Sequence, residues 1–344
     1  MKNPPASRDG FAARPVPASS AFHAFILLFF IVLIFSCGRY QNEQTVLKLA
    51  HGLSATHPVH QAMALFCQLV LERTSGQLKV DLHPSEQLGS ERECLELLQM
   101  GTLHMTKVST SVLENFVPVM AVFSLPYLFR DEDHRLKTLE SEIGNALLRA
   151  GEKKGLMGLC YYDAGSRSFY TKNKPVMVPA DLKGLKIRTQ ESPTSMKMVR
   201  ALGGAPTPIS WGELYSALQQ GVVDGAENNP PSFYFSRHYE VCRFYCLDEH
   251  AGVPDVLLIS ARTWNRLSPE WRSILQQAAR ESAEFQKKLW REATRQALEE
   301  VEKKGIKIFY PDKSLFLEKV KALHEEFQAN PEFTHILQEI SRVR

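Results

Sequence analysis

The sequence predicts a two-domain α/β protein, and three observations carry that prediction. At 344 residues the chain is long enough for two ordinary domains. Strand-like and helix-like segments alternate through both halves, the pattern of parallel-type sheets covered by helices. A helical stretch from Leu267 to about Lys304 is long for a globular domain, and a helix crossing two domains would account for it. With 44% hydrophobic and 23% charged residues the composition supports a sizeable core. The net charge of +3 shows no domain-wide basic excess of the kind that nucleic-acid binders carry.

The elements follow in order. Thr45–Ala50 alternates as a first strand. His57-Pro58 opens a helix whose Ala62, Leu65, Phe66, Leu69 and Val70 share one face, and Ser75-Gly76 ends it. Leu78–Leu82 is a second strand. Ser90 and Glu93 have the spacing of a capping box for a helix beginning near Glu91, which Gly101 closes. Leu103–Val108 and Leu159–Tyr162 are further strands. Asp163-Ala164-Gly165 then breaks the chain, and a second α/β unit runs from about 165 to 250. In it Ser168–Thr171 and Leu185–Arg188 read as strands, Pro179–Asp181 as a helix cap and Ser192–Leu202 as a helix. Ala205–Pro208 is extended, Ser210 can cap a helix Trp211–Gln220, and Gly221–Asn229 reads as a tight-turn segment. Leu257–Ser260 and Lys307–Tyr310 are late strands around the long helix, and Leu315 to the end is helical and charged.

The N-terminus differs in kind. Lys2, Arg8 and Arg14 precede the unbroken apolar run Phe25–Phe35. A spanning helix needs roughly 20 residues, so this shorter run fits the apolar region of a signal peptide. Ile34-Phe35-Ser36-Cys37 resembles a bacterial lipoprotein cleavage site, which implies cleavage before Cys37 and acylation of its thiol. An uncleaved anchor and ordinary signal cleavage are the alternatives, and each places the domains outside the cytoplasm, in the periplasm or its equivalent. If Cys37 is lipidated, an odd five cysteines remain, which cannot all pair within one chain. Cys67, Cys94 and Cys160 lie in apolar stretches and read as core residues. Cys242 and Cys246 can be bonded to each other or buried as thiols.

Chemistry-bearing residues concentrate between 163 and 230. Arg167 follows the chain break, Arg188 ends a short strand, and Asn228 lies near Gly225. Ligands in open α/β sheets gather at the carboxyl ends of strands, and the planar guanidinium suits a carboxylate. Spacing alone does not distinguish these arginines from ordinary ion-paired ones. Glu213 and Asp224 read as a helix first-turn acid and a turn residue. His57 and His60 lie one turn apart without a further ligand nearby, and no phosphate loop, nucleophile elbow or zinc-helix motif is present. No metal, cofactor or enzymatic activity is therefore expected.

Asp181-Leu-Lys-Gly-Leu-Lys-Ile-Arg188, followed by Glu213-Leu-Tyr-Ser-Ala-Leu-Gln-Gln-Gly-Val-Val-Asp-Gly-Ala-Glu-Asn228, resembles the signature of the DctP-type substrate-binding proteins of tripartite ATP-independent periplasmic (TRAP) transporters. Gln87-Leu-Gly89, Leu125–Phe129 and Gly165–Tyr170 agree, and the resemblance covers about residues 46–330. It implies a periplasmic-binding-protein-like, Venus-flytrap fold: two α/β domains joined by hinge strands, with a long helix across both. The first domain would take residues 46–164 with about 254–293, and the second 165–253 with about 294–344. It implies no reaction, but capture of an organic acid and delivery to TRAP membrane subunits. By the same resemblance Arg188 pairs with the ligand carboxylate, Arg167 is a second ligand-contacting arginine, and Asn228 orients the carboxylate. Trp211 lies against the ligand, while His51 and Ser109 face the cleft from the first domain. Tyr162–Tyr170 with Arg188 and Gly225–Asn229 is similar to members that bind hexuronates such as glucuronate and galacturonate. Another organic acid, a dicarboxylate or keto acid, is the alternative ligand. A ligand-sensing lipoprotein without a transport role is the alternative function.

Overall fold

The computed structural model describes residues 44–344, with Met1, Gly10 and Ala12 ahead of them. The rest of the expected leader, and its acylation site Cys37, lie outside the described residues. The strands are β1 (Thr45–Ala50), β2 (Leu78–His83), β3 (Met105–Ser109), β4 (Leu156–Tyr162), β5 (Arg167–Thr171) and β6 (Lys186–Thr189). After them come β7 (Ala205–Pro208), β8 (Gly225–Asn228), β9 (Phe244–Ala251), β10 (Asp255–Ser260) and β11 (Lys307–Phe309). They form two mixed sheets, ordered β2-β1-β3-β10-β4 and β11-β9-β5-β8-β6-β7. Helices alternate with the strands in both, so the α/β architecture is the one the sequence predicts.

Two short connections carry the chain between the sheets. Asp163–Ser166 leads from β4 to β5, and Gly252–Pro254 leads back from β9 to β10. Both are flanked by ladder pairs: Asp255 pairs with Tyr162 on one side, and Arg167 with Ala251 on the other. The crossovers therefore run side by side. The third crossing is the long helix Pro269–Lys303, which packs on the helix Pro58–Arg73 and β4 of the first sheet and on the short helix Pro230–Phe235 of the second. Ser268 caps it through the Trp271 N–H (3.1 Å), with Pro269 at its first turn. Its buried residues, among them Leu275, Ala278, Ala279, Ser282, Gln286, Trp290, Ala293 and Ala297, recur every three or four positions. One apolar stripe thus serves both lobes. Among the described residues no helix is long and apolar enough to cross a membrane.

This helix also fixes the first crossover. The buried amide of Gln286 accepts from Asp163 N (3.0 Å) and donates to Asp163 O (2.7 Å), and Arg135 donates to the Asp163 carboxylate (3.1 Å). Gly165 has φ +59°, and a Cβ there would stand 2.8 Å from Trp290 Nε1. Glycine is required by conformation and by space.

Several local expectations need correction. Gly225–Asn228 is a buried strand within the second sheet, not part of a turn. Pro179–Leu182 is a 3₁₀ turn. Ser210 stands at the helix start, but its hydroxyl donates to the Glu213 carboxylate (2.8 Å) instead of accepting a backbone N–H. The C-terminal helical region is two helices, Lys313–Ala329 and Pro331–Arg342, because Asn330 precedes a proline and is extended. Cys242 and Cys246 need no correction: of the two readings they allowed, the buried free thiols are the one the structure shows.

Candidate functional site

A cavity of about 50 Å³ lies where the two sheets face each other across the crossovers. Arg167, Arg188, Asn228, Trp211 and Ser109 all line it. His51 does not. Its Nδ1 accepts from Leu53 N (3.1 Å), its Nε2 pairs with His60 Nδ1 (3.0 Å), and it is buried behind the wall. The expectation that His51 faces the cleft is corrected by that placement.

The two arginines differ in a way their sequence positions do not reveal. Arg167 opens β5 directly after the crossover. Its guanidinium grips Glu227, with Nε on one carboxylate oxygen, Nη2 on the other (2.9 Å) and on the backbone carbonyl (2.7 Å). Its Nη1 donates to Asn228 Oδ1 (3.0 Å). Arg167 is thus a neutralised cation that fixes its neighbour. Asn228 Oδ1 also accepts from Asn229 N (2.9 Å), which orients its amide nitrogen, unbonded among the described residues, in the cavity wall.

Arg188, on β6, is 2% exposed and has no carboxylate within ion-pair distance among the described residues. Its Nε donates to Ile209 O (2.8 Å), while Nη1 is buried with no partner. Its guanidinium carbon lies 5.9 Å from the Trp211 ring centroid, a cation–π distance. Burial, reinforced by Arg167, lowers its pKa, as expected for a cation without a counter-charge. A buried donor left unpaired costs free energy, and a carboxylate placed before Nη1 would remove that cost.

Of the charged groups behind and across the cavity, Glu227 falls within the quoted family signature, and Lys107, Asp248, His250 and Asp255 had no sequence signature. Although burial pushes Glu227 upward, Arg167 and His250 hold its carboxyl down at about 2. His250 lies between Glu227 (3.5 Å) and Asp248 (2.8 Å). Burial pushes it down, but the two carboxylates raise it to about 9. On the opposite wall Lys107, 3% exposed, bridges Glu91 (3.0 Å) and Asp255 (3.2 Å). Ser109 Oγ donates across the cleft to Gln190 Oε1 (3.3 Å), and its backbone N–H donates to the other oxygen of Glu91 (3.1 Å). Lys107 reads from sequence as one polar position in a strand; only its burial on all sides makes it a site residue.

Three histidines border this system in neutral form. Burial first, and then Lys107, lowers His51 to about 2 and His57 to about 3; burial and then Arg188 lowers His238 to about 3. Their folded pKa values lie below the unfolded 6.5, so the unfolded chain takes up protons first. Stability is therefore expected to be intact above pH 6.5 and to fall steadily toward pH 3, by at most about 1.4 kcal/mol per pH unit for each histidine. Urea midpoints measured from pH 7 to 4 check this; a flat profile down to pH 5 would contradict neutral burial.

Residues 49–330 match the family model described as bacterial extracellular solute-binding protein, family 7, DctP. The chain is 38% identical to a TRAP periplasmic solute-binding protein from Bradyrhizobium sp. BTAi1 in complex with α/β-D-galacturonate, covering 86% of this chain and 98% of that one with a TM-score of 0.83. It is 35% identical to a TRAP periplasmic solute-binding protein from Anaerococcus prevotii with bound α/β-D-glucuronate, covering 87% and 98% with a TM-score of 0.85. The 2,3-diketo-L-gulonate-binding periplasmic protein YiaO of Escherichia coli K12 is 32% identical over 262 residues, 76% of this chain and 80% of that one.

Proposed function

The chain belongs to the DctP family, family 7 of the bacterial extracellular solute-binding proteins, and we propose that it captures a hexuronate such as D-glucuronate or D-galacturonate and presents it to the membrane subunits of a TRAP transporter. The observation that carries this reading is the buried, unpartnered Nη1 of Arg188. It is a donor on a cation without a counter-charge, which a ligand carboxylate completes. Asn228 adds its oriented amide nitrogen, and Arg167, neutralised by Glu227, holds Asn228 in place. Trp211 offers a face to the sugar ring, and Ser109 supplies a hydroxyl from the other wall. A single uncompensated cation suits one carboxylate. The galacturonate- and glucuronate-bound relatives support the sugar acid.

In this reading residues 46–164 with about 254–293 form one domain, and 165–253 with about 294–344 the other. The ligand touches both only when they close, so it shifts the population toward the closed form. The protein binds and delivers without chemical turnover, outside the cytoplasm and held by lipid at Cys37.

Residues 38–344, purified free of ligand, are expected to melt several degrees higher with galacturonate or glucuronate. A ligand at a thousand times its Kd adds about 4 kcal/mol to the stability of a folded state that alone binds it. A thermal-shift panel that includes aldonates, keto acids and C4 dicarboxylates checks this. A shift with succinate alone would discard the sugar acid, and no shift with any carboxylate would discard the Arg188 clamp.

A further inference from the structure

The cavity holds a second orphaned polar atom, opposite in kind to the first. Glu86 Oε2 accepts from Gly212 N across the cleft (3.1 Å), while Glu86 Oε1 is buried with no partner. Glu86 and Arg188 both line the cavity yet do not come within ion-pair distance of each other. The cavity thus presents one unfilled donor at Arg188 and one unfilled acceptor at Glu86.

The placement of Glu86 is built. Ser85 and Glu86 both adopt left-handed backbone, φ +57°. That conformation is unfavourable for these residue types, so the surroundings impose it. Ser85 N donates to Leu53 O (3.0 Å) and Glu86 N to His51 O (3.1 Å), which fixes the loop. Two glycines clear its carboxylate. A Cβ on Gly212 would stand 2.2 Å from Glu86 Oε2, and one on Gly52 would stand 3.3 Å from Oε1.

We propose that Glu86 is the specificity-determining acid of the cleft, accepting a ligand hydroxyl and excluding, by charge, ligands with a second carboxylate at that end. A hydroxy-monocarboxylate satisfies both orphans, with its acid on Arg188 and a hydroxyl on Glu86. A dicarboxylate brings an acceptor and a negative charge against an acceptor with a negative charge, and juxtaposed like charges are strongly selective. Among the described residues no spare cation relieves it: Lys107 is shared between Glu91 and Asp255, and Arg167 is held by Glu227. This inference rests on the sugar-acid reading and names the residue that sets its selectivity.

The test is calorimetry at pH 8, since burial pushes the Glu86 carboxyl upward. D-Galacturonate and galactarate are titrated into the wild type, Glu86→Gln and Glu86→Asp, each with its melting temperature measured to establish folding. Glu86→Gln is expected to narrow the preference for galacturonate over galactarate by about tenfold or more. Glu86→Asp, with the charge kept and the oxygens withdrawn, is expected to weaken galacturonate and still exclude galactarate. If the wild type takes galacturonate and Glu86→Gln leaves the ratio within threefold, or still binds no galactarate, this inference alone is overturned. It is also overturned if Glu86→Asp admits galactarate as well as Glu86→Gln does. A wild type that takes C4 dicarboxylates and not galacturonate overturns the proposed function and this inference together.

Discussion

Replacing Arg188 by alanine is expected to weaken hexuronate binding between about 30-fold and several thousand-fold, the equivalent of roughly 2–5 kcal/mol for truncating one partner of a buried charge pair. Two features place the effect at the large end. Among the described residues no other cavity cation is free of a carboxylate, since Arg167 is matched by Glu227 and Lys107 by Glu91 and Asp255. Arg188 also donates to Ile209 O and lies over Trp211, so its loss loosens the aromatic face as well. Lysine cannot restore the arrangement, because its point charge cannot serve the carbonyl and the ligand with one planar fork. Calorimetry on folded Arg188→Ala that shows less than a fivefold loss would remove Arg188 from the carboxylate site.

The second large effect concerns folding. Glu227→Gln is expected to cost about 3–5 kcal/mol of stability, because it leaves Arg167 buried without its counter-charge. The same substitution removes one of the two carboxylates that hold His250 charged. His250 titrates at about 9 in the folded chain and near 6.5 when unfolded. Its stabilising contribution is therefore complete below pH 6.5 and lost as the pH rises through 9. Urea unfolding from pH 6 to 9.5 should show a falling stability in the wild type and a flatter, lower profile in Glu227→Gln. A variant within 1 kcal/mol of the wild type at pH 7, on the scale of an exposed pair, would show that Glu227 does not carry the buried charges.

The fold was readable wherever local signals agree with the global arrangement. Ser90 and Glu93 form the reciprocal capping box their spacing predicts, and Gly101 ends that helix in left-handed conformation. The long helix runs from Pro269 to Lys303, one residue short of its expected end. Strand β8 was not readable. Gly-Ala-Glu-Asn has no alternating apolar pattern, because Glu227 and Asn228 are buried against Arg167 and not against apolar neighbours. Strand β9 is hidden for a similar reason: Asp248 and His250 pair with each other inside it. Local sequence suggests solvent for such residues, and only partners sixty or eighty positions away make their burial tolerable. The site shows the same division. Arg188, Arg167, Asn228, Trp211 and Ser109 were reached through resemblance to related chains. That Arg167 is neutralised, that His51 lies behind the wall and that Glu86 reaches Gly212 are facts of packing.

The paired crossovers carry a further consequence. Asp163–Ser166 and Gly252–Pro254 run abreast, with laddered strands meeting them on both sides. Two short straps side by side are expected to act as a door on two pins, not as a ball joint, with swinging about one axis easier than twisting or sliding. Arg188, Asn228 and Trp211 stand on one leaf and Ser109 and Glu86 on the other, so their alignment depends on this restriction. The bonds that cross the cleft, Glu86 with Gly212 and Ser109 with Gln190, then close in one register, and what the cavity accepts is decided by the shapes and charges so aligned.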